Sequence, residues 1–264
     1  MSLLKNIIRN LADPRLKDVD VDSDELVKVH RQIMLEKPIM NHVFREFYDA
    51  CINFDKKYFN GNGQRIEIGA GVSFFKDIYP EIISTDIKKA DNLDKVLNAL
   101  DMDLDNNSVR AFYGLNCFHH FPEPRKFFAE LQRTLIKGGG CVLIEPYYGP
   151  VASKMYKNLF DTEIFDKSQL EWESKSGYML GANQALSYIV FVRDKDKFEK
   201  EYPELEIVRM KVMNNYLRYL ISGGLNFRSL LPSFMSPVIK FMEFIISPLN
   251  RIFGLHHVIV IRKK

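Results

Sequence analysis

The stretch "RIEIGAGVSFF", from Arg65 to Phe75, decides the fold prediction. It opens with the apolar and polar alternation of a strand and continues into two glycines that flank an alanine. Because glycine has no Cβ, a turn at Gly69 and Gly71 would let a ligand touch the backbone. The stretch therefore predicts a strand whose carboxyl end forms part of a binding site.

From this strand onward, strand and helix patterns alternate along the chain. Strands are expected at "RIEIGA", "EIISTDI", "SVRAFYGLN" and "CVLIEP", with helices near residues 74–79, 93–97 and 123–135. Two later strands are expected at "LEIVRMKVM" and "HHVIVIRK". This alternation predicts βαβ units and a mainly parallel sheet with right-handed crossovers.

The flanks of this core predict the domain organisation. Apolar residues recur at helical spacing in residues 1–60, which favours an N-terminal helical cap. Residues 61–264 are expected to form one α/β domain with insertions at about 150–200 and 214–254. Prolines and charges interrupt the most apolar region, Leu230–Phe253, so we expect no membrane-spanning helix there.

Composition excludes several classes of protein. The net charge of +3 is too small to indicate a nucleic-acid partner, and the first residues do not resemble a secretory signal. The three cysteines are odd in number and lack metal-ligand spacing, which argues against a disulfide framework or a zinc site. We expect a cytoplasmic protein.

Asp86 indicates which class of ligand would bind at the glycine turn. The segment "STDI" ends the second predicted strand, where a carboxylate can accept hydrogen bonds from both hydroxyls of a ribose. Phe74 occupies the place of the third glycine in the dinucleotide fingerprint, and no phosphate-binding Gly-Lys-Ser/Thr follows. A nucleotide-like ligand without a pyrophosphate is favoured, and an NAD-dependent oxidoreductase is the less favoured alternative.

Five segments in order resemble the class I S-adenosylmethionine-dependent methyltransferases, of the methyltransferase type 11 kind. They are "EIGAG", "TDI", "NALDMDLDNNSV", "NCFHHFPEP" and "RTLIKGGGCVLIEP". The resemblance covers about residues 65–146. It implies a Rossmann-like fold with a seven-stranded, mainly parallel sheet and helices on both faces.

The same resemblance implies S-adenosylmethionine as cofactor and a set of cofactor-binding residues. The methionine part would lie near the glycine turn, the ribose at Asp86 and the adenine near Asn98. The implied cofactor residues are Glu67, Gly69, Ala70, Gly71, Asp86, Ile87, Asn98, Ala99 and Asn116.

Candidate catalytic residues follow the fourth predicted strand. Asn116 could hydrogen-bond the cofactor or the acceptor, and His119 or His120 could serve as a general base near neutral pH. The alternative is that both histidines only start and pack a helix. Because adjacent residues point in different directions, a shared metal ion is not expected.

The flanking segments "GANQALSYIVF" and "LRYLISGGLNFRSLLP" resemble bacterial methyltransferases found among enzymes of surface-glycan and glycolipid assembly. Asn183 and Gln184 are candidate substrate contacts, since amides donate to and accept from hydroxyls, although capping or a satisfied turn is an equal alternative. The expected activity is methyl transfer to a small-molecule, sugar or glycolipid acceptor by a monomer or homodimer. The non-enzymatic alternative is a cofactor-binding or membrane-docking scaffold.

The C-terminal insertion suggests a place for such an acceptor. From Ile207 onward the chain carries one acid, Glu243, against a run of basic residues. These are Arg209, Lys211, Arg218, Arg228, Lys240, Arg251, Arg262, Lys263 and Lys264. The insertion could lie peripherally on the inner face of an anionic membrane through Phe234, Phe241, Phe244 and Ile245, or it could pack internally.

Overall fold

The computed structural model describes residues 11–17, 19, 23–159, 163–174 and 182–264. The predicted N-terminal cap and the insertion at 150–200 therefore lie partly outside the described residues. The chain forms two compact units. We call Met1–Glu46 with Asn214–Pro248 the helical unit, and Phe47–Met213 with Leu249–Lys264 the sheet unit.

The sheet unit contains seven hydrogen-bonded strands in its described residues. In chain order they are β1 (Gln64–Ile68), β2 (Ile82–Asp86), β3 (Lys95–Val96), β4 (Val109–Leu115), β5 (Leu135–Pro146), β6 (Leu205–Val212) and β7 (His256–Lys263). The spatial order is β3-β2-β1-β4-β5-β7-β6. Strands β1 to β5 run parallel, and β7 is antiparallel to both of its neighbours.

This sheet confirms the predicted fold class. The six strands expected from the residue pattern are all present, but the helix expected near residues 93–97 is wrong. Residues 95–96 instead extend the sheet, where Lys95 pairs with Thr85 and Val96 pairs with Asp86. Pairing with the open edge of β2 satisfies the backbone of this segment and outweighs its weak helical pattern.

The described residues of the two units also form α-helices. In chain order they are α1 (Asp24–Glu36), α2 (Pro38–Tyr58), α3 (Phe75–Ile78), α4 (Pro124–Thr134), α5 (Pro150–Leu159), α6 (Leu186–Tyr188), α7 (Lys195–Glu201), α8 (Tyr216–Ser222), α9 (Ser236–Ile245) and α10 (Asn250–Phe253). Short 3₁₀ turns lie at Pro14–Leu16, Phe118–His120, Ser233–Met235 and Ser247–Leu249. A π-helical segment, Ile189–Arg193, follows α6 directly.

A buried carboxylate ties the last part of α2 to the sheet. Asp55 is 1% exposed and accepts hydrogen bonds from Arg65 Nε (2.8 Å), Arg110 Nε (2.9 Å) and Tyr113 Oη (2.8 Å). A buried carboxylate is stable only when paired and hydrogen-bonded, and these donors meet that need. Arg110 on β4 is therefore a structural residue of the sheet unit.

The helical unit has an ionic centre and an apolar exterior. Arg218 donates from Nε to Glu243 (2.6 Å) and from both terminal nitrogens to Glu46 (2.9 and 2.8 Å). Arg218 and Glu243 are both buried, so Arg218 is not one of the basic residues available at the surface. In contrast, Phe234, on a short 3₁₀ turn, and α9 expose large apolar side chains.

Candidate functional site

The order of the strands reverses between β1 and β4, which are neighbours in the sheet but not in the chain. In open parallel sheets, such a reversal leaves a crevice at the carboxyl ends of the strands, and ligands bind there. The segments after β1, β2 and β4 all begin at this edge. They carry the predicted site residues from Gly69 to His120.

Gly69 and Gly71 are required for different physical reasons. Gly69 has φ +62°, and a Cβ there would lie 2.6 Å from the Cβ of Cys117, too close for any side chain. Gly71 has φ +47°, and the nearest atom to a Cβ would be Asp86 Oδ2 at 4.0 Å. Gly69 thus permits packing against the segment after β4, whereas Gly71 faces open space beside the carboxylate of Asp86.

Asp86 is hydrogen-bonded across this turn. Its Oδ2 accepts from Gly71 N (2.9 Å) and its Oδ1 accepts from Lys88 N (3.0 Å). Asn92 Nδ2 donates to Gly71 O (3.1 Å), a contact that no sequence motif pointed to. Each carboxylate oxygen retains a second lone pair for a hydroxyl group.

Glu67 and Ala70 support the turn from within the sheet. Glu67 is 1% exposed and accepts from Ser84 Oγ (3.0 Å) on β2. Ala70 is buried, and its N–H donates to Thr85 O (2.9 Å). Ile87, by contrast, is 41% exposed next to Asp86. The structure brings Glu67, Ala70 and Ile87 to the turn, and their contacts with a cofactor remain predictions.

The predicted adenine segment is joined to the end of β2. Leu97 N donates to Asp86 O (2.9 Å), which fixes the start of the segment beside the aspartate. Asn98 Oδ1 accepts from Leu100 N (3.0 Å), and Ala99 is buried. Asn98 is partly exposed, and its acceptor role for an adenine remains a prediction.

Asn116 has an unusual backbone and an unsatisfied side chain. Its φ of +50° lies in the left-handed region, which non-glycine residues seldom adopt. Its N–H donates to Ile144 O (2.8 Å), but its Oδ1 is buried without a hydrogen-bond partner in the protein. Buried polar atoms are normally paired, so Asn116 is suited to contact a ligand at this edge.

Glu145, near the end of β5, organises the segment after β4. Its Oε1 accepts from Cys117 N (3.0 Å) and Phe118 N (2.8 Å), and its Oε2 lies 2.6 Å from His119 Nδ1. Glu145 is fully buried. It fixes both the backbone of the turn and the orientation of the His119 ring.

Glu163 joins the two histidines from the segment after α5. Its carboxylate oxygens lie 3.5 Å from His119 Nε2 and 3.7 Å from His120 Nε2, and Gln184 Nε2 donates to it (2.5 Å). The two imidazole rings have centroids 4.2 Å apart. The expectation that adjacent histidines point apart is therefore wrong here, because the 3₁₀ turn at Phe118–His120 holds the rings against each other.

The charges of this cluster are coupled. Burial alone would lower the pKa of His119, but Glu145 and Glu163 outweigh it and raise the pKa to about 10. Burial would raise the pKa of Glu163, but His119 and His120 outweigh it and lower the pKa to about 2. Because the pKa of His119 is higher in the folded protein than in the unfolded chain, its protonated form stabilises the fold. This stabilisation is complete at pH values below the unfolded pKa and is lost as pH rises through about 10. At neutral pH His119 is thus protonated and is not a base.

Asn183 and Gln184 differ in what they can offer a substrate. Asn183 Oδ1 accepts from Asp166 N and Ala185 N (both 3.0 Å), while its Nδ2 donates to Asp166 O (2.8 Å) and Gln169 Oε1 (2.9 Å). These bonds use the donors and acceptor sites of its amide, which supports a structural role. Gln184 Oε1 is buried without a hydrogen-bond partner.

The family comparison agrees with this geometry. Residues 69–143 match the sequence model of a family described as the methyltransferase domain. The match spans the glycine turn, Asp86 and the segment after β4. Over these residues the chain is similar to that family.

Solved methyltransferase structures resemble this chain at low sequence identity. Geranyl diphosphate C-methyltransferase from Streptomyces coelicolor, in complex with Mg²⁺, geranyl diphosphate and S-adenosyl-L-homocysteine, is 13% identical with a TM-score of 0.53. That comparison covers 95% of this chain and 87% of the other, and it shows a common fold. Phosphoethanolamine N-methyltransferase 2 from Haemonchus contortus is 12% identical, covering 95% of this chain and 59% of the other, with a TM-score of 0.48. No curated protein sequence matches the chain.

Proposed function

We propose that this chain is an S-adenosylmethionine-dependent methyltransferase, which moves a methyl group to a small-molecule, sugar or lipid-linked acceptor by in-line displacement. The observation that carries the proposal is the hydrogen-bonded pair of Gly71 and Asp86 at the reversal of the strand order. This pair combines an open backbone turn with a carboxylate that has free acceptor sites. The arrangement suits a ribose whose attached group lies along the turn.

The site residues fit the cofactor. S-adenosylmethionine supplies a methyl group on a sulfonium, which leaves as a neutral thioether. Asp86 would accept hydrogen bonds from the ribose hydroxyls, and Gly71 leaves room beside it. Asn116 presents an unpaired Oδ1 that would accept a hydrogen bond from the cofactor or the acceptor. Such contacts would hold the reacting atoms about 3–3.5 Å apart, and this orientation supplies much of the rate enhancement.

The histidine cluster faces the same edge and would border the acceptor. Glu145 keeps His119 protonated, so His119 orients neighbouring groups and does not remove a proton. His120 is partly exposed and remains the candidate base for a hydroxyl acceptor. Gln184, rather than Asn183, has a free acceptor for a substrate hydroxyl.

Replacing Asp86 with asparagine tests the ribose assignment. The side-chain amide would still offer an oxygen to Gly71 N–H, but the charge that strengthens the hydrogen bonds to two hydroxyls would be lost. We expect Asp86→Asn to weaken S-adenosylhomocysteine binding by about 1.4 kcal/mol, or about tenfold, in calorimetric titration. Asp91→Asn, an equal change of charge on the exposed neighbouring segment, should leave the affinity unchanged. Equal affinities for the two variants would remove the ribose assignment.

We also propose that the acceptor is amphiphilic and reaches the protein from an anionic membrane surface. The motive is the apolar surface of the helical unit, which consists of side chains between 39% and 76% exposed. They are Leu230, Leu231, Phe234, Val238, Phe241, Met242, Phe244 and Ile245. Isolated exposed apolar residues are common, but eight of them between residues 230 and 245 favour an interaction site.

The charges around this apolar surface favour a lipid bilayer as its partner. Residues 229–248 contain only two charged side chains, of which Glu243 is buried against Arg218. Lys240 is exposed and lies 2.9 Å from Glu46, and Arg228 is exposed at the start of the segment. No helix in the described ranges is long and apolar enough to cross a bilayer. Exposed apolar side chains together with exposed basic residues in one segment suit contact with the lipid interface.

A further inference from the structure

We propose that His119, His120 and Glu163 bind a divalent transition-metal ion, with Zn²⁺ as the best-matched species. One ligand atom from each residue can be chosen so that all three atoms lie within 4.8 Å of one another. The carboxylate of Glu163 lies 3.5 Å from His119 Nε2 and 3.7 Å from His120 Nε2. The residues come from two separate segments, after β4 and after α5, which the fold brings together.

The distances suit a tetrahedral ion. Zn–N and Zn–O bonds of about 2.0–2.2 Å place neighbouring donor atoms about 3.3–3.6 Å apart in such a site. The separations of 3.5 and 3.7 Å are close to that range, but they involve the two different oxygens of the Glu163 carboxylate. One atom from each of the three residues lies within 4.8 Å of the others, so an ion would draw these atoms closer together. Two imidazoles and one carboxylate also form a donor set that zinc uses in catalytic sites, whereas Mg²⁺ prefers oxygen ligands.

The side chains that hydrogen-bond to His119 and Glu163 are arranged like those that orient the ligands in metal sites. Glu145 accepts from His119 Nδ1 at 2.6 Å, which directs Nε2 toward Glu163. Glu145 is itself fixed by the backbone N–H groups of Cys117 and Phe118. Gln184 donates to the Glu163 carboxylate. A ligating histidine normally has such a carboxylate partner, and it sets both the tautomer and the ring orientation.

The cluster is accessible and leaves a coordination position open. The side chains of His120 and Glu163 are 20% and 18% exposed, whereas that of His119 is 3% exposed. An ion could therefore enter from the side of His120, taking the place of the proton on His119 Nε2. Three protein ligands leave a fourth position for water or, if the proposed function holds, for an oxygen of the acceptor. The bound ion would then lower the pKa of that oxygen and replace His120 as its activator.

Metal titration of the full chain tests the site. After removal of bound metal with a chelator, we expect the wild type to take up one equivalent of Zn²⁺ by calorimetry and mass spectrometry, and Mg²⁺ not to compete. His120→Ala and Glu163→Gln change partly exposed residues and should each weaken Zn²⁺ binding by at least about tenfold. His42→Ala removes an exposed histidine in α2 and should leave binding unchanged.

A second measurement needs no variant. On addition of Zn²⁺ to the wild type, the imidazole nitrogen resonances of His119 and His120 should shift together, while that of His42 stays in place. The proposal is overturned if the wild type binds no Zn²⁺, if both variants bind it as tightly as the wild type, or if His42 responds instead. The affinity of Glu163→Gln for S-adenosylhomocysteine should equal that of the wild type. Measuring it by titration therefore separates a failure of the metal site from a failure of the cofactor assignment.

Discussion

Gly71→Val is expected to reduce the affinity for S-adenosylmethionine and S-adenosylhomocysteine by more than about 100-fold, equivalent to about 2.7 kcal/mol. A Cβ at Gly71 would project into open space, with Asp86 Oδ2 as its nearest neighbour at 4.0 Å. The branched side chain would fill the space that the turn leaves beside the carboxylate. The measurement is calorimetric titration of the folded variant.

Backbone strain is the competing explanation, and the chain offers a control for it. Valine at φ +47° adopts an unfavourable conformation, which should lower the free energy of unfolding by about 1–3 kcal/mol. Gly224 in the helical unit has φ +56° and similarly open surroundings, with Tyr219 Oη at 3.8 Å. Gly224→Val should suffer similar strain and still bind the cofactor. Normal binding by Gly71→Val would show that this turn has only a structural role.

The double variant Phe241→Ser, Phe244→Ser should lose about 100-fold in its affinity for anionic liposomes. Burying a phenylalanine side chain contributes about 1.5–3 kcal/mol, and partial burial at an interface favours the lower figure, so two side chains contribute about 3 kcal/mol. They are 64% and 71% exposed in the protein, so their replacement should leave the fold intact. Co-sedimentation with liposomes measures the effect.

Two comparisons make the liposome result specific. Leu170→Ser changes a side chain that is 83% exposed in the sheet unit and should bind liposomes as the wild type does. Arg228→Glu should weaken binding to anionic liposomes more at low salt than at high salt, because screening shortens the reach of its charge. A wild type that ignores liposomes at low salt would exclude the membrane as partner of the apolar surface. A dimer through that surface would then be the first alternative to measure.

The longer strands could be predicted from the sequence, because their apolar residues alternate with polar ones or form apolar runs. The period of two in "RIEI" and the apolar runs in "VLIEP" and "VIVI" identify strands because burial in a sheet requires those residues. The short strand β3 could not be predicted. Two residues carry no period, and the strand exists only because β2 has a free edge beside them.

In the candidate site, too, some residues could be predicted from the sequence and others could not. Gly71 and Asp86 could be predicted because a turn after a strand and an acid after the next strand meet at one edge of a parallel sheet. Glu163 and Asn92 could not, since they lie in irregular segments whose paths depend on tertiary packing. Glu145 lies within a predicted strand, but only the structure shows that its side chain holds the turn at Phe118–His120.

The most direct test of the central claim is a crystal structure of the protein with S-adenosylhomocysteine. We predict that the ribose hydroxyls lie about 2.6–3.2 Å from the carboxylate oxygens of Asp86 and that the homocysteine part passes over Gly71 toward Asn116. A ligand bound elsewhere on the chain, or a ribose that makes no hydrogen bond to Asp86, would contradict this assignment of the cofactor site.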